Sequence, residues 1–567
     1  MSPLFALSLA FAATGSDLDL APSEALQAVV EEALKRYPAE LELPEAPELY
    51  HLRYHLILGR SFSSRGSLGA PVYANEGDYN LVGAELRLGS ADFDNTGFAG
   101  WENGFGRAGL PQEPTAHSVQ VALWELTDTS FKEGVEQVAR KRAQVSERPD
   151  HPGDYVLTGA VTAEASYVPV YAPEGLEDLV TRLSGAWNGG PILDRGDVYV
   201  GHEAGTTWTA DTEGTRVGRP LHETTLRAAA HLRTDDGELL TDQLLWTARD
   251  PASLPDEAVM KAQIVAVRDR LAATALAKPL GDEYVGPVVF EGEAATDLFR
   301  YLLIGQLEGT PTEIPFDAWF GEFGESGESV RVGRRVLPPG WDVLDDPAAR
   351  PQHPGSFSHD WEGTPVQPLE LVTDGIVRTL AMSRTPRKGL ESSNGHGKGA
   401  VGRRAVGKIT MMEIDAPRLV GQAKLYKTGL KAARSYGLDH VLVVRRLQVP
   451  SVQNLSKGGW SYEVDAPGVL PPPIDVVRRY ADGREERVRG AAFANVARFV
   501  LRDILAAGPA HGSSVMLPTD GEWADLGATE GLAGFTRAPA VVIGEMEVVP
   551  RSGDSRDVPV LPHPSSD

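Results

Sequence analysis

The stretch Asp360–Ser383, DWEGTPVQPLELVTDGIVRTLAMS, sets the reading of the chain. Asp374-Gly375 stands between apolar flanks, and such a dipeptide supplies the positive backbone φ of a tight hairpin turn. The stretch therefore reads as short strands folded about that turn. Asp482-Gly483, between Tyr480 and Val488, repeats the signal. With 60 glycines and 41 prolines, the chain favours many turns and short strands over long helices. At 567 residues it is too long for one core. The expected fold is α+β with two domains, an N-terminal sheet-and-helix domain and a strand-rich C-terminal one.

Working outward, Gly286–Phe290 reads as a buried strand and Ala294–Leu307 as a helix, with a second helix over Phe493–Ala507 and a final strand over Ala540–Val549. Toward the N-terminus, a helix with proline and acids in its first turn runs from Pro255 to Ala275. The Lys278-Pro279-Leu280-Gly281 break after it marks the expected domain boundary. Antiparallel strands fill 196–247, with turns at Glu213-Gly214 and Asp235-Asp236-Gly237. Further upstream are a helix near 175–186, a strand near 154–171, an amphipathic helix over Phe131–Val145, and strands at 79–89 and 50–60. A helix with Ser23 as N-cap buries Leu26, Val29, Val30, Ala33 and Leu34. The expected organisation is 15–280, 286–550 and a disordered polar tail, 551–567.

The leader MSPLFALSLAFAATG has a short apolar run and an A-x-A site at Ala10-Phe11-Ala12, so residues 1–14 read as a signal peptide directing export, although no Lys or Arg precedes the run. No apolar stretch reaches the ~18 residues that span a bilayer. The formal net charge of −25 excludes a general nucleic-acid binder. The basic clusters Arg140-Lys141-Arg142 and Arg478-Arg479 are read as surface positions. With no cysteine, the chain has no disulfide, no thiolate zinc site and no thiol nucleophile.

A zinc hydrolase needs imidazoles or carboxylates converging on one metal and a base for the attacking water. No H-E-x-x-H occurs. His222 and His231 are nine residues apart, about 900° of helix turn or roughly 30 Å of strand, so they cannot share a metal locally. His353, His359 and His396 lie near Asp360 and Glu362 and are the remaining candidate ligands. Gly397-x-Gly399-x-x-Gly402 and Gly402-x4-Gly407-Lys408 mimic nucleotide motifs. The first lacks a preceding hydrophobic strand and the second has Ile409 where a magnesium-binding hydroxyl belongs. A mobile glycine-rich loop is expected there. There is no G-x-S-x-G elbow.

The second half resembles the TldD/PmbA family of metallopeptidase-related proteins. In catalytic members a helix carries H-E-x-x-x-H followed by G-L-E-G. Phe299–Thr310, FRYLLIGQLEGT, keeps the trailing part as Gln306-Leu307-Glu308-Gly309. Glu362-Gly363-Thr364-Pro365 and Asp374-Gly375-Ile376-Val377 resemble the family's D-D-E-G-x-P…N-G pattern. Ser393-Asn394-Gly395 is similar to its T-G-N-G-R-R segment, and Phe499–Gly508 and Ala538–Val549 to its closing segments. Glu213-Gly214-Thr215 resembles its S-E-G-T turn, while the region before about residue 190 diverges.

By this alignment Arg300 and Gly305 stand at the two histidines and Tyr301 at the glutamate. Arginine keeps its proton and cannot bind zinc. Glycine offers no ligand, and tyrosine is a poor base at neutral pH. The catalytic members' cysteine ligand is also missing. The resemblance implies a chain closer to the PmbA/TldE-type subunit: a pseudoenzyme with no catalytic residue and no cofactor, associated with proteolysis of extended peptides. It would work in a homo- or hetero-oligomer, with a catalytic TldD-type subunit as partner; the family was once linked to DNA gyrase modulation. One alternative is an active zinc peptidase with ligands relocated to His353, His359 and His396. Another, motivated by the leader because TldD and PmbA are normally cytoplasmic, is an exported, periplasmic binding or scaffold protein.

Overall fold

The computed structural model describes residues 20–41, 43–98, 103–145, 152–190, 193–314, 330–448, 470–496, 498–517 and 532–551. The proposed leader, and all of the 551–567 tail except Arg551, lie outside the described residues. The fold is mixed α and β and is built on two large sheets.

Helix α1 (Glu24–Glu40) starts where its cap places it: Ser23 Oγ accepts the Leu26 N–H at 3.4 Å. Ser23→Ala is expected to cost about 1 kcal/mol, read as a shifted urea midpoint with unchanged slope. Strands β1 (Leu49–Ser67), β2 (Ala70–Asp78), β3 (Leu81–Leu88) and β4 (Phe105–Gly109) follow. Helix α2 (Ala116–Gln144) is twice as long as the sequence suggested; a capping box between Thr115 and Ser118 starts it well before Phe131. Together α1 and α2 cover Leu52, Tyr54, Leu56, Val82 and Leu86 on one face of the sheet.

Only Thr162–Ala163 (β5) of the strand expected over 154–171 is regular. The rest crosses the sheet as irregular chain because its aromatic side chains are used as covers, Tyr167 against His222 and Tyr171 stacked on His202. After α3 (Leu176–Ser184) come β6 (Arg195–Asp211), β7 (Arg216–Arg233) and β8 (Leu239–Ala248), turning at Gly214 and Gly237 with φ of 97° and 84°. The first sheet runs β4-β3-β1-β6-β7-β5, with β2 beside β1 and β8 beside β7. Helix α4 (Glu257–Ala275) packs on β7 and β8.

The second sheet comprises β9 (Lys278–Pro279), β10 (Tyr284–Phe290), β11 (Asp342–Asp345), β12 (Leu369–Thr373), β13 (Ile376–Val377), β16 (Met411–Asp415), β17 (His440–Leu447), β18 (Pro473–Tyr480), β19 (Glu485–Arg489), β20 (Ala491–Ala494), β21 (Ile504–Leu517) and β22 (Leu532–Pro550). Both expected hairpins form, β12–β13 around Asp374-Gly375 and β18–β19 around Asp482-Gly483. Helix α5 (Glu293–Leu307) covers one face through Leu298, Phe299, Leu302 and Leu303. A helix absent from the sequence reading, α6 (Gln422–Ala433), covers the other through Leu425.

The helix expected over Phe493–Ala507 does not form. That stretch begins in β20, passes through a 3-10 turn at Arg498–Asp503 and enters β21. Both strands pair with β22, so sheet pairing overrides its Ala- and Leu-rich helical preference. The basic cluster at 140–142 is also not wholly superficial: Lys141 is fully buried, 2.6 Å from Asp154.

Candidate functional site

Helix α5 carries the positions where the sequence alignment placed absent ligands. Arg300 lies beside Asp297 at 3.4 Å, and its guanidinium sits 4.0 Å from the centre of the Tyr301 ring. Burial pushes the Asp297 carboxyl up and Arg300 opposes it. Gly305 presents no side chain. The helix therefore offers a fixed cation and a bare glycine at the two ligand positions and a phenol in place of the base, and the residues do not fit the metal.

The trailing Gln306-Leu307-Glu308-Gly309 has a structural use. Glu308 pairs with Lys408 at 3.2 Å, and the Gly309 N–H donates to Ala381 O at 2.8 Å. A Cβ at Gly309 would collide with the Met382 sulfur. The motif's tail ties α5 to the segment 380–409.

The three candidate histidines are held apart by partners of their own. His353 accepts the Gly355 N–H at its Nδ1 (3.1 Å) and turns its Nε2 toward Ser514 Oγ (3.2 Å). Burial, then Arg350, lowers its pKa to about 4. His359 bonds the neighbouring Ser358 hydroxyl at 3.2 Å. His396 is fully buried, with Nδ1 3.0 Å from Asn394 O and Nε2 3.1 Å from Asp345. None of the three joins a cluster of three ligand-type side chains among the described residues. His222 and His231 lie toward opposite ends of β7, opposite Ala204 and Arg195.

The expected glycine loop is a hairpin, β14 (Gly397–Lys398) with β15 (Val406–Gly407). Its tip packs against the first sheet, where Gly402 approaches the Gly106 backbone and Val401 reaches Gly83. Gly402 has φ +75° and a Cβ there would lie 3.0 Å from Gly106 C, so close packing of the tip requires glycine.

Beside that hairpin lies a buried charge cluster that the sequence reading did not assemble. Arg53 on β1 donates to Glu85 (2.9 Å), Asp211 (3.2 Å) and the Tyr155 hydroxyl (2.8 Å). Arg87 on β3 bonds Glu85 and Asp94 (3.0 Å). From the second half, Arg384 bonds Glu213 in the β6–β7 turn and donates to Val156 O at 2.7 Å. Glu362 accepts the Arg384 N–H at 2.6 Å. Arg53, Arg87 and Arg384 surround the Tyr155 ring and are fully buried. Trp361 stacks on His55 at 4.5 Å and is flanked by Arg219. Glu213 and Glu362, both in motif positions, thus both bond Arg384, the first through its guanidinium and the second through its backbone N–H. Arg53 and Arg384 gave no local signal.

Within this cluster His51, Asp211 and Glu213 bring ligand atoms within 4.8 Å of one another. A cation does not suit them. Asp211 Oδ1 already accepts the Glu213 and Thr215 N–H groups at 3.0 Å, and its Oδ2 faces Arg53. Glu213 Oε2 accepts the Thr158 and Gly159 N–H groups at 2.8 Å, and Arg384 takes its other oxygen. Against the cost of burial, His51 and Arg384 hold the Glu213 carboxyl well below the usual range, while burial takes His51 down to about 4. The arrangement is a structural ion-pair network.

Residues 283–467 match the family model described as the PmbA/TldA metallopeptidase C-terminal domain. Three solved structures share the fold. A proposed modulator of a DNA gyrase from Thermotoga maritima has a TM-score of 0.58 at 14% identity, covering 92% of this chain and 100% of its own. TldE from Thermococcus kodakarensis has a TM-score of 0.56 at 12% identity, covering 93% and 100%. A proposed modulator of DNA gyrase from Bacteroides thetaiotaomicron has a TM-score of 0.55 at 10% identity, covering 93% and 98%. The comparison with curated proteins finds no match. No helix among the described residues is long and apolar enough to cross a membrane.

Proposed function

The chain belongs to the TldD/PmbA family through its C-terminal domain, and from that premise we propose that it is a non-catalytic, peptide-handling member of this metallopeptidase-related group. One observation carries the reading. Where the catalytic pattern has its first histidine, Arg300 lies 3.4 Å from Asp297 and over the Tyr301 ring. A guanidinium offers a metal no lone pair, and the chain has no cysteine to serve as the other ligand. Its role is to hold extended peptide or to support a relative that carries H-E-x-x-x-H. Backbone pairing to a sheet edge would grip such peptides with little regard to their side chains.

The test is a mixed library of extended peptides, assayed for binding and for cleavage. Binding without cleavage is expected, with no change on adding chelator. Chelator-sensitive cleavage that disappears on changing His353, His359 or His396 to alanine would overturn the reading. Purification from the native host is expected to bring down a relative with the intact motif; recovery of an isolated monomer would count against that partnership.

A further inference from the structure

The seam between the two sheets contains more buried negative charge than its cations neutralise. Glu85, Asp94, Asp211, Glu213, Asp360 and Glu362 face Arg53, Arg87, Arg219 and Arg384; all of these acids except Glu213 are 3% exposed or less. Neighbouring elements bring further groups: β1 adds His51 and His55, β6–β7 adds Arg219 and the turn acids, the segment at 155 adds Tyr155, and Lys141 of α2 pairs with Asp154 beside Asp94. The second half adds Asp345, His396 and Lys398. Unpaired carboxylates are too costly to leave ionised in such a place.

Geometry singles out one of them. Asp360 accepts three backbone N–H groups, from Glu362 (3.0 Å), Thr364 (2.8 Å) and Gly397 (2.9 Å). Glu362 accepts one, from Arg384, while its other oxygen lies 3.9 Å from Arg53, a guanidinium already committed to Glu85, Asp211 and Tyr155. The two carboxyls crowd the same spot: a Cβ on Gly397 would sit 2.9 Å from an oxygen of each. The better-solvated anion is Asp360, so the proton belongs on Glu362.

We propose that Glu362 keeps a proton in the closed protein and that its loss loosens the seam between the 360–408 segment and the first sheet, making the seam a pH-sensitive joint. Burial, and then Asp360, raise the Glu362 pKa to about 7, within reach of ordinary changes in pH. A carboxyl raised above its unfolded value stabilises the closed form fully at low pH. That contribution fades as pH rises through about 7.

Amide hydrogen exchange on the full chain between pH 5 and 9, corrected for intrinsic rates, tests this at the Arg384 and Gly397 N–H groups, which bond the two carboxylates. Their protection is expected to fall about tenfold between pH 6 and 8, with the β10 and β22 amides unchanged. Glu362→Gln should make the profile flat. The infrared band of a buried neutral carboxyl should be present at pH 6 in the wild type and weaker by one group in the variant. Protection that ignores pH, an identical fall in Glu362→Gln, or no difference in the carboxyl band would overturn the proposal.

Discussion

Replacing Arg53 with methionine is expected to destabilise the protein by about 3–5 kcal/mol at neutral pH, one of the largest single-residue effects available in the chain. The guanidinium is fully buried and serves Glu85, Asp211 and Tyr155 together. Methionine fills much of the volume and none of the charge, leaving two carboxylates without their main counter-ion. Arg53 and Arg87 hold Glu85 well below the usual carboxylate range despite its burial. Without Arg53 its pKa must rise. The loss should therefore shrink on acidification, when Glu85 can be neutralised by a proton instead. Adding Glu85→Leu should recover part of the loss, because a pair removed together costs less than one charge left alone. Urea melts at pH 5 and pH 8 check all three expectations. A loss below about 1 kcal/mol would mean the cluster is solvated and the seam open.

Phe299→Ala is expected to cost about 3–5 kcal/mol. Phe299 is fully buried in the larger core and lies 5.9 Å from the Trp341 ring. Its neighbour provides the contrast. Arg300 holds a weak contact with Asp297 and a cation–π contact with Tyr301, so Arg300→Met should cost about 1 kcal/mol. If helix α5 is retained for packing, stability is concentrated on the Phe299 side. Thermal unfolding of the two variants decides it; equal losses would mean that the Arg300 face is a tuned site after all.

Much of the fold was legible because its signals are local. Ser23 caps α1, Asp374-Gly375 and Asp482-Gly483 turn hairpins, and the tract from Pro255 starts a helix that ends at Ala275. Helix α6 escaped notice because its buried stripe is narrow: Leu425, Gly429 and Ala433, with Gly429 fitted against Val289 and Val441. The stretch 493–507 departs from its helical composition for the opposite reason, since that preference is overridden by pairing with β22, from Phe493 with Val548 to Ala507 with Val541. The charge cluster was invisible for a related cause. Arg53 meets Glu85 across 32 residues and Arg384 meets Glu213 across 171, so no window of sequence contains it. Glu213 and Glu362 stand out in the sequence as motif positions, but nothing local ties either to Arg384. The departures at Arg300, Tyr301 and Gly305 are legible from residue type: arginine and glycine offer no lone pair at the two ligand positions, and tyrosine is a poor base at the third.

A non-catalytic member should have lost the family's metal together with its ligands. Elemental analysis of protein purified without an affinity tag or chelator tests it most directly. Near-zero zinc is expected, unchanged in Arg300→Met. About one tightly held zinc per chain would contradict it and would send attention back to His353, His359 and His396.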